Sequence, residues 1–528
     1  MPLKDDLQQI VKGEVSDDND ALTKFSTDAS IFEVKPQIIV SPKDSEDIKS
    51  LIKFVTQSRS NKDQKLSLTA RSAGTDMGGG SLNDSIILDM TKHFNKILEV
   101  GSDFAKTQPG VFYRDFEKDT LAKGLLFPSF PASKEICTVG GIMANNAGGE
   151  KTLSYGQTKN YINSLKIVLS DGNEYLIEPL SAEKLREKIL EDNFLGTVYK
   201  KIYQLIEENY DLIQKAKPKV HKNSSGYFLW DVWDKQTFDL TKLITGSQGT
   251  LGIITEINFR LIKPKPHFAL LVINLDSLDN LDSIINDALQ YKPETFECFD
   301  DQTIEYAIKF LPETKDIFTN TLPAMVLMAQ FSADSPQEVA EICQNAQKDL
   351  QQFNLPSKII TDPKVEEKYW RVRHESFNLL RQHSKDMRTA PFIDDIIVRP
   401  EKLPLFLPRL KKILKGYDSY MLYTIAGHIG EGNFHIIPLV DFRNKQVREK
   451  IMELMKQVND LVLEFGGSLT AEHNDGLIRS PYLEQSYGEN VYQLFKSVKN
   501  IFDPQNIFNP HKKSDATFEY SLSHISKT

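Results

Sequence analysis

Arg71-Ser72-Ala73-Gly74-Thr75-Asp76-Met77-Gly78-Gly79-Gly80 follows an alternating segment, Leu66-Ser67-Leu68-Thr69-Ala70, and precedes a second strand-like run, Ser85-Ile86-Ile87-Leu88-Asp89. Glycine recurs at 74, 78, 79 and 80, which opens the backbone and lets main-chain N–H groups converge on an anion. A pyrophosphate suits such a loop. The stretch lacks the Gly-Lys-Ser/Thr ending of a Walker loop, and its spacing does not match a Gly-x-Gly-x-x-Gly turn that opens a helix. Taken alone, it also reads as a flexible connection.

Two further stretches share this character. Thr138-Val139-Gly140-Gly141-Ile142-Met143-Ala144-Asn145-Asn146-Ala147-Gly148-Gly149 is small-residued almost throughout, and a loop of this kind lets main chain approach a flat ligand closely. Thr245-Gly246-Ser247-Gln248-Gly249-Thr250-Leu251-Gly252-Ile253-Ile254 again runs into strand-like residues. Three such elements ahead of residue 265 point to one extended ligand rather than three flexible connections.

Working outward, Ile38-Ile39-Val40 reads as a strand ended by Ser41-Pro42, and Ser45 to Thr56 as a helix through Ile48, Leu51, Ile52 and Val55. Ser164 to Ser170 reads as a strand closed by Asp171-Gly172. Lys263-Pro264-Lys265-Pro266 interrupts regular structure and marks a boundary. A new unit opens with the strand Phe268 to Leu275, in which strands alternate with amphipathic helices at 277–290 and 335–353. A long helix follows at 446–465, and the tail from 481 carries another to Ile501 before the turns Asp503-Pro504 and Asn509-Pro510. The expected division is an N-terminal extension (1–31), a first α+β domain (32–265), a second domain (266–480) and a C-terminal segment (481–528).

The composition narrows the function. At 528 residues the chain is long enough for two or three cores and a large buried cofactor. A net charge of -9 and a pI near 5.7 argue against a nucleic-acid partner, so a small anionic substrate needs a local basic pocket. Cys137, Cys298 and Cys343 are too scattered for a redox pair, a zinc knuckle or an iron–sulfur run. The N-terminus enters charged residues directly, without the apolar core of a signal peptide, and no apolar run approaches bilayer length. The expected location is cytoplasmic, with peripheral contact at a membrane left open.

Gly427-His428-Ile429-Gly430-Glu431-Gly432-Asn433-Phe434-His435 places two imidazoles seven apart among glycines, a density that favours a strand or turn over a helix. A reversal at Glu431-Gly432 brings both rings to one centre. Ala471-Glu472-His473-Asn474-Asp475-Gly476, just after Gly466-Gly467, supplies a carboxylate in Glu472. Imidazole with carboxylate suits zinc, manganese or iron. The alternative is that these histidines only satisfy hydrogen bonds of the turns.

The three glycine-rich stretches resemble the FAD-binding domain shared by flavoenzymes of the vanillyl-alcohol-oxidase and p-cresol-methylhydroxylase (PCMH) type, and the likeness extends over nearly the whole chain. It implies an α+β fold: a PCMH-type, two-subdomain FAD-binding domain plus a C-terminal FAD-linked oxidase cap domain, an antiparallel sheet with flanking helices. Within it, Arg71, Ser72, Ala73, Gly74, Thr75 and Asp76 hold the FAD pyrophosphate. Pro128, Ser129, Thr138, Gly140, Gly141, Asn145 and Gly148 lie along the flavin. Gly249, Gly252 and Ile254 lie beside the adenosine half, and Asn509 is a further cofactor contact. Members with covalent FAD often carry a histidine in or near the first loop; Thr75 and Asp76 stand here, which implies noncovalent FAD.

The histidine motifs resemble the branch that oxidises D-lactate, glycolate and D-2-hydroxyglutarate. That resemblance makes His428, His435 and Glu472 ligands of a divalent metal, with zinc expected first and Mn²⁺ or Fe²⁺ as alternatives. His473 becomes the proton acceptor. Arg373 stands where the branch places the clamp on the substrate carboxylate, a role that matches its forked guanidinium, with Arg371 as its substitute. His374, Arg381 and Arg388 are candidates for meeting a second carboxylate. Asn474 departs from the glycine usual after the Glu-His pair, so the backbone there is expected to differ.

The implied reaction is oxidation of a D-2-hydroxy acid (D-lactate or D-2-hydroxyglutarate) by metal-assisted deprotonation and hydride transfer to FAD. Electrons are then expected to leave through a separate acceptor: a quinone, a cytochrome, an electron-transferring flavoprotein or an iron–sulfur protein. Two other readings remain at this stage: a flavin oxidase returning electrons from an alcohol or sugar to O₂, and a catalytically decayed flavin-binding subunit. A homodimer is an open assembly.

Overall fold

The structure is a computed structural model that describes residues 3–60, 65–318, 322–383 and 387–527. Its first sheet is parallel through Ile38–Ser41, Ile86–Asp89 and Leu68–Arg71. Ile38–Ser41 is buried at every position, which is why its sequence is a continuous apolar run rather than an alternation. Helix Ser45–Ser60 covers the sheet with Ile48, Leu51, Ile52 and Val55, the spacing read in the sequence. The stretch expected as an N-terminal extension adds a strand: Glu14–Ser16 pairs antiparallel with Ile38–Ser41.

The second sheet is antiparallel and runs Ile97–Val100, Phe104–Thr107, Ile253–Arg260, Ile162–Val168, Glu174–Ile177. Residues of Ile253–Arg260 alternate between buried and partly exposed, as a strand with one wet face should. One expectation is corrected here. The stretch 138–149, read as a loop, is helical over Val139–Asn145. Thr138 is extended and its Oγ1 accepts the N–H of Gly141 at 3.3 Å, while Asn146 ends the helix in the left-handed region. A Cβ on Gly140 would stand 2.5 Å from that of Pro109, so small residues here let a helix lie close to neighbouring main chain, and this packing outweighs glycine's poor helix propensity.

The third sheet holds seven antiparallel strands in the order Ser357–Ile360, His267–Leu275, Met325–Ala333, Thr295–Asp300, Ile425–His428, Asn433–Ile436, Ile396–Ile397. Ala269, Leu271, Ile273 and Leu275 share a core with helices Leu281–Gln290, Pro336–Leu350, Leu403–Lys415 and Lys445–Glu464. Leu270 and Val272, on the opposite face, pack with helices Asp301–Phe310 and Pro363–His383. This is the antiparallel sheet with flanking helices that the sequence implied.

The tail returns to the first domain. The single helix expected up to Ile501 is divided by Gly488, at φ +79°, into Leu483–Tyr487 and Glu489–Phe502. Both pack into the core that holds Phe194–Glu208, and the N–H of Asn509 reaches the carbonyl of Leu68. Among the described residues no helix is long and apolar enough to cross a membrane.

Candidate active site

A cavity of about 1340 Å³ runs between the first two sheets and the seven-stranded domain, well above the ~300–1,000 Å³ of an ordinary small-ligand pocket. Ser72, Ala73, Gly74 and Thr75 line it, with Thr138, Gly140, Gly141, Asn145 and Gly148 from the helical stretch and Gly249, Gly252 and Ile254 from the third element. Glu297, Arg373, His428, His435, Glu472 and His473 line it too, with Glu472 close beside Gly148. The glycine-rich wall and the histidine cluster, separated by hundreds of residues in sequence, thus face one space.

The first glycine-rich loop is organised from within. Asp76 Oδ2 accepts the N–H groups of Gly78 at 3.1 Å and Gly80 at 2.6 Å, and its Oδ1 accepts Asn145 Nδ2 at 2.7 Å. A carboxylate of the chain therefore takes two of the N–H groups read as anion donors, while residues 71–77 with Gly80 and Ser81 border the cavity. Arg71 also serves the scaffold. Its guanidinium donates to the carbonyls of Phe25 and Thr27 at 3.1 and 2.7 Å and fills the space beside Gly74.

Pro128, Ser129 and Asn509 do not reach the cavity surface; Phe130, Pro131 and Ala132 line it instead. Ser129 Oγ is spent on the carbonyl of Ala147 at 3.0 Å. Asn509 Nδ2 bridges the carbonyls of Gly80 and Gln248 at 2.8 and 2.6 Å, tying the first element to the third. The remaining surface fits a long flat cofactor. At Gly249, φ +69°, a Cβ would stand in open space, so bare backbone borders the cavity there.

In the histidine cluster, the pairing of Cys298 with Gly427 and of Ala426 with His435 sets Glu297, His428 and His435 side by side on neighbouring strands. Gly432, at φ +75°, turns the hairpin where the carbonyl of Val398 leaves room for nothing larger. Three imidazoles then aim their Nε2 atoms at one oxygen. Glu472 Oε1 lies 3.4 Å from His428, 3.2 Å from His435 and 3.7 Å from His473.

Each ring is held from behind at Nδ1. His428 meets Glu297 Oε1 at 2.6 Å, His435 meets Asp394 Oδ1 at 3.1 Å, and His473 lies 2.6 Å from Asp394 Oδ2. Carboxylates placed so fix the tautomer that leaves Nε2 available as a ligand or base.

Asp395, His435, Glu472 and His473 offer ligand atoms all within 4.8 Å of one another, which raises Asp395 as a rival to His428. Asp395 Oδ2 already accepts Thr470 Oγ1 and the N–H groups of Glu472 and His473, at 2.5 to 2.9 Å. It shapes the loop, whereas the Nε2 of His428 points into the cluster.

Electrostatics give an independent test of fit. Buried Glu297, Asp394, Asp395, Glu431 and Glu472 outnumber the fixed cations beside them, Lys222, Arg373 and Arg479. Burial opposes charge on the imidazoles, yet Glu297 carries His428 up to about 9, and Asp394 with Asp395 carries His473 up to about 10. Burial likewise opposes ionisation of Glu472, but Lys222 and His428 hold its carboxyl well below the usual range. A cluster this rich in negative charge, with imidazole and carboxylate donors, fits a divalent cation in place of the protons.

Arg373 is brought to the site but is already engaged. Its Nε and one terminal nitrogen both lie 2.9 Å from Glu297 Oε2, so one carboxylate joins it to His428. Arg371 points away, to Glu313 at 2.6 Å. His374, Arg381 and Arg388 all border the cavity, His374 through a 2.9 Å contact with Glu150.

Sequence reasoning missed Glu297, Asp394, Asp395 and Lys222. Asp394-Asp395 inside the apolar run Phe392 to Val398 was the available signal, since two adjacent acids rarely enter a buried apolar stretch without a task. Asn474 stands at φ +67°, a conformation natural to glycine and tolerated by asparagine. Its Nδ2 donates to the carbonyls of Asn145 and Gly246 at 3.0 and 2.9 Å. The backbone geometry that a glycine would serve is therefore kept.

Two family models match the chain, "FAD binding domain" over residues 36–176 and "FAD linked oxidases, C-terminal domain" over residues 265–513. D-2-hydroxyglutarate dehydrogenase of Pseudomonas putida is 27% identical over 522 residues, covering 95% of this chain and 50% of that protein. The glycolate oxidase subunit GlcD of Bacillus subtilis is 26% identical, covering 97% and 96%, and D-lactate dehydrogenase of Archaeoglobus fulgidus is 26% identical, covering 90% of each. The chain thus spans about half the length of several of the D-2-hydroxyglutarate dehydrogenases it matches.

Among solved structures, p-cresol methylhydroxylase with substrate bound superposes with a TM-score of 0.67 at 16% identity, covering 95% of this chain and 94% of that one. 4-Ethylphenol oxidase from Gulosibacter chungangensis gives 0.69 at 14%, covering 96% and 95%. The chain thus carries an FAD binding domain followed by the C-terminal domain of FAD linked oxidases, on the fold that p-cresol methylhydroxylase also has.

Proposed function

We propose that the protein is an FAD-dependent dehydrogenase that oxidises a D-2-hydroxy acid, D-2-hydroxyglutarate or D-lactate, to the 2-oxo acid. The observation that carries this is the convergence of three Nε2 atoms on Glu472 Oε1 in a cavity that the glycine-rich elements also line. The names of relatives similar over at least nine-tenths of the chain agree with it.

In this reading His428, His435 and Glu472 hold a divalent cation and the glycine-rich elements hold FAD noncovalently. Bound there, the cation lowers the pKa of the substrate hydroxyl and the flavin supplies the hydride acceptor. His473 receives the hydroxyl proton at Nε2, and Asp394 stabilises the imidazolium at Nδ1. Arg381 and Arg388 bring positive charge to the border of the cavity, suited to a substrate carboxylate, and His374 stands beside them. Arg373 orients His428 through Glu297 as well as bordering the substrate space. The electrons pass on to a separate acceptor.

The test is anaerobic. The flavin absorbance of the purified protein is followed on adding D- or L-lactate, D- or L-2-hydroxyglutarate and glycolate, with and without chelator. Bleaching by a D-acid that chelator abolishes is the expected result. Bound flavin that no 2-hydroxy acid reduces overturns the proposal.

A further inference from the structure

Lys222 is 1% exposed, with its side chain fully enclosed. Its ammonium lies 2.9 Å from Glu431 Oε2 and 3.1 Å from Glu472 Oε2. The lysine belongs to the FAD-binding domain, whereas both carboxylates belong to the cap. The segment that carries it is fastened along the ligand loop: Ser224 N donates to Thr470 O at 3.1 Å and Ser224 Oγ to Ala471 O at 2.9 Å. An ammonium enclosed this fully is costly unless it is paired, so its place beside a carboxylate of the cluster calls for a task.

We propose that Lys222 is a positioning residue for the metal centre: by engaging Glu472 Oε2, it leaves Oε1 as the single oxygen that Glu472 gives to a cation. This deepens the functional reading above and rests on it. The two oxygens of Glu472 have different surroundings, since Oε1 faces three imidazole nitrogens and Oε2 faces Lys222. A carboxylate free to rotate would offer both oxygens, crowding the position that the substrate hydroxyl needs. Lys222 therefore keeps a coordination position open, which separates a catalytic metal site from a closed structural one. Its origin in the other domain also makes the centre dependent on the flavin half.

The test uses the full-length holoprotein with Co²⁺, whose visible absorption reports coordination number. In the crystal structure of the cobalt-loaded wild type, Glu472 is expected to supply one oxygen, with Oε2 still on Lys222; both oxygens on the cation overturn the proposal. Two variants follow. Lys222→Met removes the cation alone, and Lys222→Met with Glu431→Gln removes one positive and one negative charge, so the buried charge stays balanced if the single variant fails to fold.

Either folded variant is expected to show a weaker cobalt absorption of higher-coordinate type and Co²⁺ retention lowered roughly 10- to 100-fold, the usual effect of losing a partner of a ligand. A folded variant with the wild-type spectrum and affinity overturns the role of Lys222. A wild type that takes up no Co²⁺ overturns the metal reading itself and this inference with it.

Discussion

Asp394 Oδ2 lies 2.6 Å from the Nδ1 of His473, and the same carboxylate holds His435 through its other oxygen. One fully buried acid thereby sets the orientation of both a candidate ligand and the candidate base. Replacing His473 with Gln is expected to slow anaerobic flavin reduction by roughly 10²–10⁴-fold while flavin and metal contents stay at wild-type levels. Asp394→Asn should lower the same rate and also weaken metal retention, because the amide cannot serve both rings as acceptor. Stopped-flow reduction with parallel metal analysis separates the two, and a His473→Gln protein reduced at the wild-type rate removes this histidine from the chemistry.

Metal uptake should depend on pH in a defined direction. In the metal-free protein, burial opposes protonation of His428 but Glu297 prevails and carries it up to about 9. A cation must displace that proton, so affinity rises with pH up to about 9 and flattens above it, by about tenfold per unit for each proton released. Zn²⁺ titrations between pH 7 and 9, with proton release measured in weak buffer, check this. Affinity that is flat across the window contradicts the assignment of His428.

Asn474 occupies the left-handed region with a side chain that still makes two hydrogen bonds. Asn474→Ala loses both the amide and the tolerated backbone geometry, and should cost about 1–3 kcal/mol. Asn474→Gly keeps the geometry and should cost less, with flavin reduction largely retained. Denaturant unfolding of the two variants gives the order, and an alanine variant more stable than the glycine one contradicts it.

Arg373 and Arg381 should behave differently. Arg373 shares Glu297 with His428, so Arg373→Met leaves a buried carboxylate short of a partner, and stability is expected to fall by about 3–5 kcal/mol together with flavin reduction. Arg381 is exposed and borders the cavity. Arg381→Met should raise KM for D-2-hydroxyglutarate by roughly tenfold, as loss of a charge-assisted contact would, with much less effect on D-lactate. Equal effects on both substrates would remove Arg381 from recognition of a second carboxylate.

The cap hairpin was legible because its chemistry lies in a short span: Gly432 must turn, so His428 and His435 must meet. The glycine-rich elements were legible as a ligand wall for a related reason, since few other tasks need so much bare backbone. The helix at Val139–Asn145 was hidden by its own glycines, because the contact with Pro109 that rewards them lies outside the local sequence. Glu297 and Lys222 were hidden in another way. A buried acid in a strand or a lysine in a connection carries no periodic signature, and its role appears only when strands remote in sequence pair. Asp76 shows a second task that no pattern announced, for it borders the cavity as its place in the first loop suggested and its carboxylate also binds the loop to itself.

The seam at Ser224 and Ala471 has a consequence for recombination. A cap grafted onto another relative's flavin half at the proline-rich boundary near residue 265 would arrive without the lysine that faces Glu472 and without the hydroxyl that holds Ala471. The unit to exchange is therefore discontinuous: the cap together with residues 222–226 and the flavin-half residues Asn145, Gln157, Gly246 and Gln248 that also bond the loop at 471–476. A crossover drawn from the linear order of domains cuts through the contacts that hold the histidine cluster, although it passes cleanly between two folded bodies.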